Sequence, residues 1–243
     1  MLKIEKLAVS YDGKKLAIDN INLKVGQGEF VGIIGASGSG KSTLLKAINL
    51  LVRPRKGRVL IDNIDLTGLN SSQLRRVRRD IGFIFQDYNL IDRLTVLENV
   101  LIGRLGYKSS FKSLLGLFTE EEYERASIAL RQVGLKDKMF DRADQLSGGQ
   151  MQRVAIAKTL CQRPKIILAD EPVASLDIAS SQVVMDYFQR VNKKKNMTIL
   201  INLHDVDLAR KYCQRIIALK DGKVYYDGKA GDLDEKQLEK IYL

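Results

Sequence analysis

The stretch that most constrains this chain is a glycine-rich segment set between an apolar run and a helix-forming run. Phe30-Val31-Gly32-Ile33-Ile34 reads as a buried strand, and Thr43-Leu44-Leu45-Lys46-Ala47-Ile48 reads as a helix. Between them stands Gly35-Ala36-Ser37-Gly38-Ser39-Gly40-Lys41-Ser42, which fits G-x-x-x-x-G-K-[ST]. Strand, loop and helix in that order are what a phosphate cradle needs. Glycines let backbone N–H groups turn inward around an anion, and the helix adds its unsatisfied N–H groups and positive dipole end. Lys41 is then placed to reach β- and γ-phosphates, and the Ser42 hydroxyl to ligate Mg²⁺.

Composition sets outer limits. The 243 residues suffice for one large or two small domains with a sizeable core. No apolar run approaches the ~18 residues of a membrane span, and Met1-Leu2-Lys3-Ile4-Glu5 has no apolar signal-peptide core. Cys161 and Cys213 show no metal-type spacing, which fits a reduced cytoplasmic setting. The net charge is +11, with basic clusters at Arg53–Arg58, Arg75–Arg79 and Lys193–Lys195. An anionic membrane face or a nucleic acid would each attract such charge. The clusters are scattered and lack interleaved aromatics, which disfavours nucleic acid, and Lys193–Lys195 reads as solvated surface.

The first segment reads as antiparallel β structure: Ile21, Leu23 and Val25 alternate with polar residues, and Asp12-Gly13 signals a hairpin turn. Arg58–Ile61, Ile81–Phe85, Lys165–Ala169 and Thr198–Leu203 read as further strands, and Arg215–Gly228 as a hairpin turning at Asp221-Gly222. From about 87 to 162 the pattern is mostly helical. Thr95 and Glu98 have capping-box spacing, and Glu120–Glu122 place acids in a helix's first turn. This predicts an α/β core at about 1–86 and 163–243, with an antiparallel β portion and an inserted helical subdomain at 87–162.

Ligands of open parallel sheets sit beyond the carboxyl ends of strands. Four such ends here carry suitable groups: the glycine-rich loop, Gln86, Asp170-Glu171 and His204. Singly, Gln86 is a polar loop residue, Asp170-Glu171 a helix start and His204 a cap. Together they form a constellation. Asp170 suits Mg²⁺, directly or through water. Glu171 suits a general base that polarises the attacking water, and His204 suits a γ-phosphate contact. A second anion site is indicated by Leu146-Ser147-Gly148-Gly149-Gln150, which opens a helix carrying Val154, Ala157, Leu160 and Cys161. One explanation is a plain N-cap. The other is that each site contacts the same nucleotide from opposite sides, in two copies of the protein.

Leu146–Gln150, Lys165–Glu171 and the turn Ser175-Leu176-Asp177 together resemble the nucleotide-binding subunit of an ATP-binding-cassette (ABC) transporter, over nearly the whole chain. The resemblance implies a P-loop NTPase (RecA-like) fold and ATP with Mg²⁺ as ligands. It implies that Gly35, Ala36, Ser37, Gly38, Ser39, Gly40, Lys41, Ser42 and Thr43 hold the phosphates, and that Tyr11 stacks on adenine. Ser42, Gln86 and Asp170 serve the metal, while Glu171, His204 and Gln86 serve hydrolysis. Ser147, Gly148, Gly149, Gln150 and Asp177 reach the ATP of a second copy in a head-to-tail dimer. Partners are an integral membrane permease, docked near Gln86–Ile91 at the cytoplasmic face of the cell membrane, and indirectly an extracytoplasmic solute-binding protein.

A finer resemblance, to ATPases of bacterial phosphonate importers, rests on Gly103–Tyr107, Leu114–Phe118, Glu171–Asp177 and Ile201–Ala209. It implies uptake of phosphonate or a related oxyanion. Val173 and Leu203 stand where threonine is commoner in the wider family, and neither removes a catalytic group. The alternatives are amino-acid import, lipoprotein release and a soluble nucleic-acid-associated ATPase. A single cassette without a coiled-coil insertion argues against the last.

Overall fold

The computed structural model describes residues 1–108, 116–174 and 176–242. Ser175 of the Ser175–Asp177 turn and Leu114-Leu115 of the finer resemblance lie outside the described residues.

The chain opens with β1 (Leu2–Ser10) and β2 (Leu16–Val25), followed by β3 (Phe30–Ile34) and α1 (Lys41–Ile48). Next come β4 (Lys56–Ile61), β5 (Ile64–Asp65), α2 (Ser71–Val77) and β6 (Ile81–Ile84). Helices α3 (Val96–Leu101), α4 (Glu120–Gln132) and α5 (Gly148–Gln162) precede β7 (Ile166–Ala169). Then follow α6 (Ile178–Lys195), β8 (Thr198–Asn202), α7 (Val206–Tyr212), β9 (Arg215–Lys220), β10 (Lys223–Lys229) and α8 (Glu235–Tyr242).

Two sheets result. An antiparallel one runs β2-β1-β4-β5, and a six-stranded one runs β10-β9-β3-β8-β7-β6, parallel except for the β9–β10 hairpin. The parallel strands are continuous apolar runs because both faces are covered. Alternation then assigns each residue a face. Phe30, Ile34, Ile167, Ile199, Ile201 and Ile216 share a core with α3, α4, α5 and α6. Val31, Ile33, Ile166, Leu168, Leu200 and Ile217 share the other with α1 and the antiparallel sheet. Burying each such Ile or Leu contributes roughly 1.5–3 kcal/mol, so α1 is pinned between two sheets and the loop before it has a rigid floor.

Two turns illustrate how local chemistry sets geometry. Asp221 (φ 49°) and Gly222 (φ 75°) are both left-handed, the two-residue hairpin that Asp-Gly favours. Asp12-Gly13 behaves differently. The Asp12 Oδ1 accepts from the N–H groups of Lys14 (2.9 Å) and Lys15 (3.0 Å), so residues 11–15 form a longer loop in place of a tight turn. The helix starts follow their capping boxes at Thr95/Glu98, Thr119/Glu122 and Ser147/Gln150. The strands read as ending at Phe85 and Leu203 end one residue earlier, at Ile84 and Asn202.

Candidate nucleotide site

The glycine-rich loop joins β3 to α1 and curls over the carboxyl end of the sheet. Gly35 has φ 145°, and a Cβ there would lie 2.2 Å from the Leu219 carbonyl oxygen, so no larger residue fits. Gly40 is the N-cap of α1 in the left-handed region, and no side chain caps the helix. By contrast α2, α3, α4, α5, α6 and α7 each receive a side-chain cap. The first N–H groups of α1 are thus left for an anion. Lys41 is buried, and its Nζ donates to the carbonyls of Gly35 (2.8 Å) and Ala36 (3.1 Å) across the loop. Burial pulls the Lys41 pKa below its usual value, while Glu171 and Asp170 oppose that shift.

Beside the loop, the ends of β8, β7 and β6 follow β3 in order across the sheet, which gathers the other groups into one row. Ser42 Oγ donates to Asp170 Oδ1 at 2.7 Å, and Asn202 Nδ2 donates to the same oxygen at 2.7 Å. The next residue, Glu171, is left-handed (φ 51°), which costs a residue with a Cβ roughly 1–2 kcal/mol. Its Oε1 lies 2.6 Å from His204 Nε2. A hydroxyl–carboxylate oxygen pair and a carboxylate–imidazole pair therefore flank the loop, one suited to a hard cation and the other to proton transfer from water. Gln86 is exposed, two residues past Ile84, which pairs with Ala169. Among the described residues, no hydrogen bond joins it to Ser42 or Asp170. Tyr11 reaches Thr43 through an OH···Oγ1 contact of 3.2 Å, and its ring is 64% exposed. It edges a cleft of about 370 Å³ that also includes Gly38, Lys15 and Asp221.

The second candidate anion site stands apart from the first. Among the described residues, no hydrogen bond or ion pair joins Leu146–Gln150 to the Gly35–Thr43 loop within one chain. Ser147 is exposed and caps α5: its Oγ accepts from Gln150 N at 3.4 Å, and its N–H donates to Gln150 Oε1 at 2.9 Å. For the Gln150 N–H, an incoming anion competes with that long cap. Gly148 abuts the Tyr88 hydroxyl, and Gly149 faces Leu176. Asp177 caps α6, accepting from Ser180 N (2.9 Å) and Ser180 Oγ (2.7 Å), and these bonds hold its carboxyl below the usual range.

The family model described as ABC transporter matches residues 18–174. The chain belongs to the ABC transporter family. It is 47% identical over 242 residues to the Phosphonates import ATP-binding protein PhnC 2 of Oceanobacillus iheyensis, covering 100% of this chain and 95% of that protein. It is 47% identical, again over 242 residues, to PhnC 3 of Halalkalibacterium halodurans, covering 100% of this chain and 94% of that protein. Among solved structures, the dimeric post-hydrolysis ATP-binding cassette MJ0796 bound to ADP and Pi superposes with a TM-score of 0.85 at 41% identity, covering 95% of this chain and 99% of that one.

In this ABC transporter chain, sequence reasoning missed three supports of the site. Asn202, the polar end of an apolar strand, grips Asp170. The Gly222 N–H donates to the Ser39 carbonyl at 3.1 Å, so the β9–β10 turn braces the loop. Tyr242 of α8, though part-exposed, interacts with the Gly35 backbone, and partial desolvation of its hydroxyl is the main cause of its raised pKa. The first had a readable signal, an asparagine within an apolar run. The other two depend on how distant strands and α8 pack.

Proposed function

We propose that this chain is the ATP-hydrolysing subunit of a bacterial importer for phosphonates or a related oxyanion, working at the cytoplasmic face of the membrane as a peripheral partner of a permease. The chain is an ATPase of the ABC family. One observation carries the chemistry: at adjoining strand ends the Ser42–Asp170 pair and the Glu171–His204 pair lie beside an uncapped helix N-terminus. The γ-phosphoryl group sits in the loop, near Lys41. Glu171 accepts a proton from the attacking water as the bond between the β–γ bridging oxygen and the γ-phosphorus breaks, and ADP leaves with that bond's electrons. His204, whose Nε2 stands 2.6 Å from Glu171 Oε1, contacts a γ-phosphate oxygen and orients the water. Tyr11 stacks on adenine.

The residues fit Mg²⁺: the Ser42 hydroxyl and the Asp170 carboxylate, 2.7 Å apart, bring hard oxygen donors together beside the loop, and would hold the ion directly or through water. When bound, the ion neutralises charge on the β- and γ-phosphates, with Gln86 positioned on the neighbouring loop to sense it.

The fixed separation of the two anion sites supports a head-to-tail dimer, in which Ser147, Gly148, Gly149, Gln150 and Asp177 of one copy meet ATP held by the other. Ile178, beside Asp177, is 80% exposed. Residues 87–162 are the inserted helical subdomain. A groove of about 300 Å³ between Phe83–Asn89 and Ile102–Tyr107 suits a segment of the permease. The end-to-end likeness to phosphonate import proteins supports the solute, which an extracytoplasmic binding protein delivers. The test is ATP hydrolysis by the reconstituted complex. A phosphonate-loaded binding protein should stimulate it, and an amino-acid-loaded one should not. Stimulation by amino acids alone overturns the assignment of solute.

A further inference from the structure

We infer that Asn202 is a positioning residue for the cation: its amide fixes the Asp170 carboxylate in the orientation that, with the Ser42 hydroxyl, receives Mg²⁺. The inference rests on the reading of Ser42 and Asp170 as the residues that hold the ion. Strand β8 is otherwise apolar at its centre, Ile199-Leu200-Ile201, and Asn202 is fully buried at its end. Ala169 pairs with Ile201 in the parallel register, so the next residues along, Asp170 and Asn202, emerge side by side. The amide donates to Asp170 Oδ1 at 2.7 Å, while its own Oδ1 is buried with no hydrogen-bond partner among the described residues. An apolar residue would avoid that orphaned oxygen. The amide's compensation is its bond to the carboxylate.

That bond has a mechanical consequence. Asp170 Oδ1 accepts two hydrogen bonds, one from α1 through Ser42 and one from β8 through Asn202. Two donors from different elements stop the carboxylate turning about its Cβ–Cγ bond. Ser42 alone cannot do so, because its oxygen must also offer a lone pair to the cation. The phosphates are gripped elsewhere, by the Gly35–Lys41 loop. Loss of the amide should therefore weaken the cation and leave metal-free nucleotide binding alone.

The experiment uses the full chain with Asn202→Leu, which keeps the forked outline, is bulkier and has no donor, and Asn202→Ser as a smaller second variant should the first fail to fold. A fluorescent ATP analogue is titrated in EDTA and then in Mg²⁺, and Mn²⁺ bound with ATP is counted by electron paramagnetic resonance. Metal-free affinity should match wild type, and cation affinity should fall about 10–100-fold, the scale for losing an outer-shell partner. On an Asp170→Asn background the Asn202 change should add nothing. Equal weakening with and without metal marks a merely structural role and overturns the inference, as does unchanged cation affinity. If Asp170→Asn itself leaves cation affinity intact, the reading of Asp170 as a metal residue falls as well.

Discussion

Glu171→Gln isolates the proposed base from everything else in the site. The amide nearly matches the carboxylate in volume, and it keeps an oxygen facing the His204 Nε2 that now lies 2.6 Å from Glu171 Oε1. What disappears is the affinity for a proton. The Glu171 side chain is only 12% exposed, so bulk water is a poor substitute, and the loss should be that of a positioned base, about 10²–10⁴-fold in turnover. At 1.36 kcal/mol per tenfold, the barrier rises by about 3–5 kcal/mol. ATP affinity should hold or improve. Lys41 keeps Asp170 as its nearby anion, and one negative charge close to the phosphates is gone. Phosphate release under saturating Mg·ATP gives the rate, titration with a fluorescent ATP analogue gives the affinity, and thermal melting checks the fold. Turnover close to wild type removes Glu171 from the role. A parallel loss of ATP binding would show that the site had collapsed and that the base had not been tested.

Two further outcomes follow from the loop and the caps. Gly35→Ala should abolish ATP binding and lower the melting temperature, because the new Cβ meets the Leu219 carbonyl at 2.2 Å. Gly38→Ala, with nothing within 4 Å, should cost only its left-handed backbone, roughly 1–2 kcal/mol; equal effects in thermal melts would contradict this ranking. Asp177 has a folded-state pKa depressed below the ordinary 3.8, chiefly by its bonds from Ser180. Its ionised cap therefore stabilises fully above pH 3.8 and fades as pH falls through the lower value. The melting-temperature deficit of Asp177→Ala should shrink in acid, and a deficit that grows there would refute the sign.

The sequence showed the parallel strands because a strand covered on both faces must be apolar throughout, as Phe30–Ile34 and Ile166–Ala169 are. The capping box at Thr95 and the N-cap at Ser147 were equally open to reading, since a cap is made within four residues. Strand order was not. That β3 lies between β8 and β9, and that β7 separates β8 from β6, depends on packing across the whole chain. The Ser42–Asp170–Asn202 cluster needs that order, joining residues separated by 128 and 32 positions. Helix α8 escaped reading because only Ile241 is buried along its length, which gives a short amphipathic segment little periodic signal. Among the described residues, Gln86 has no hydrogen bond to the cluster that would have marked it, and what singles it out is its place past β6.

The shared nucleotide site is tested most directly by light scattering of Glu171→Gln with Mg·ATP, compared with the same chain also carrying Ser147→Arg. Ser147 is exposed and, among the described residues, shares no hydrogen bond or ion pair with the Gly35–Thr43 loop of its own copy, so both chains should bind ATP equally. The first should run as a dimer and the second as a monomer. A dimer formed equally well by the chain carrying both substitutions would contradict a site built from two copies, and so would a Glu171→Gln chain that binds ATP yet stays monomeric.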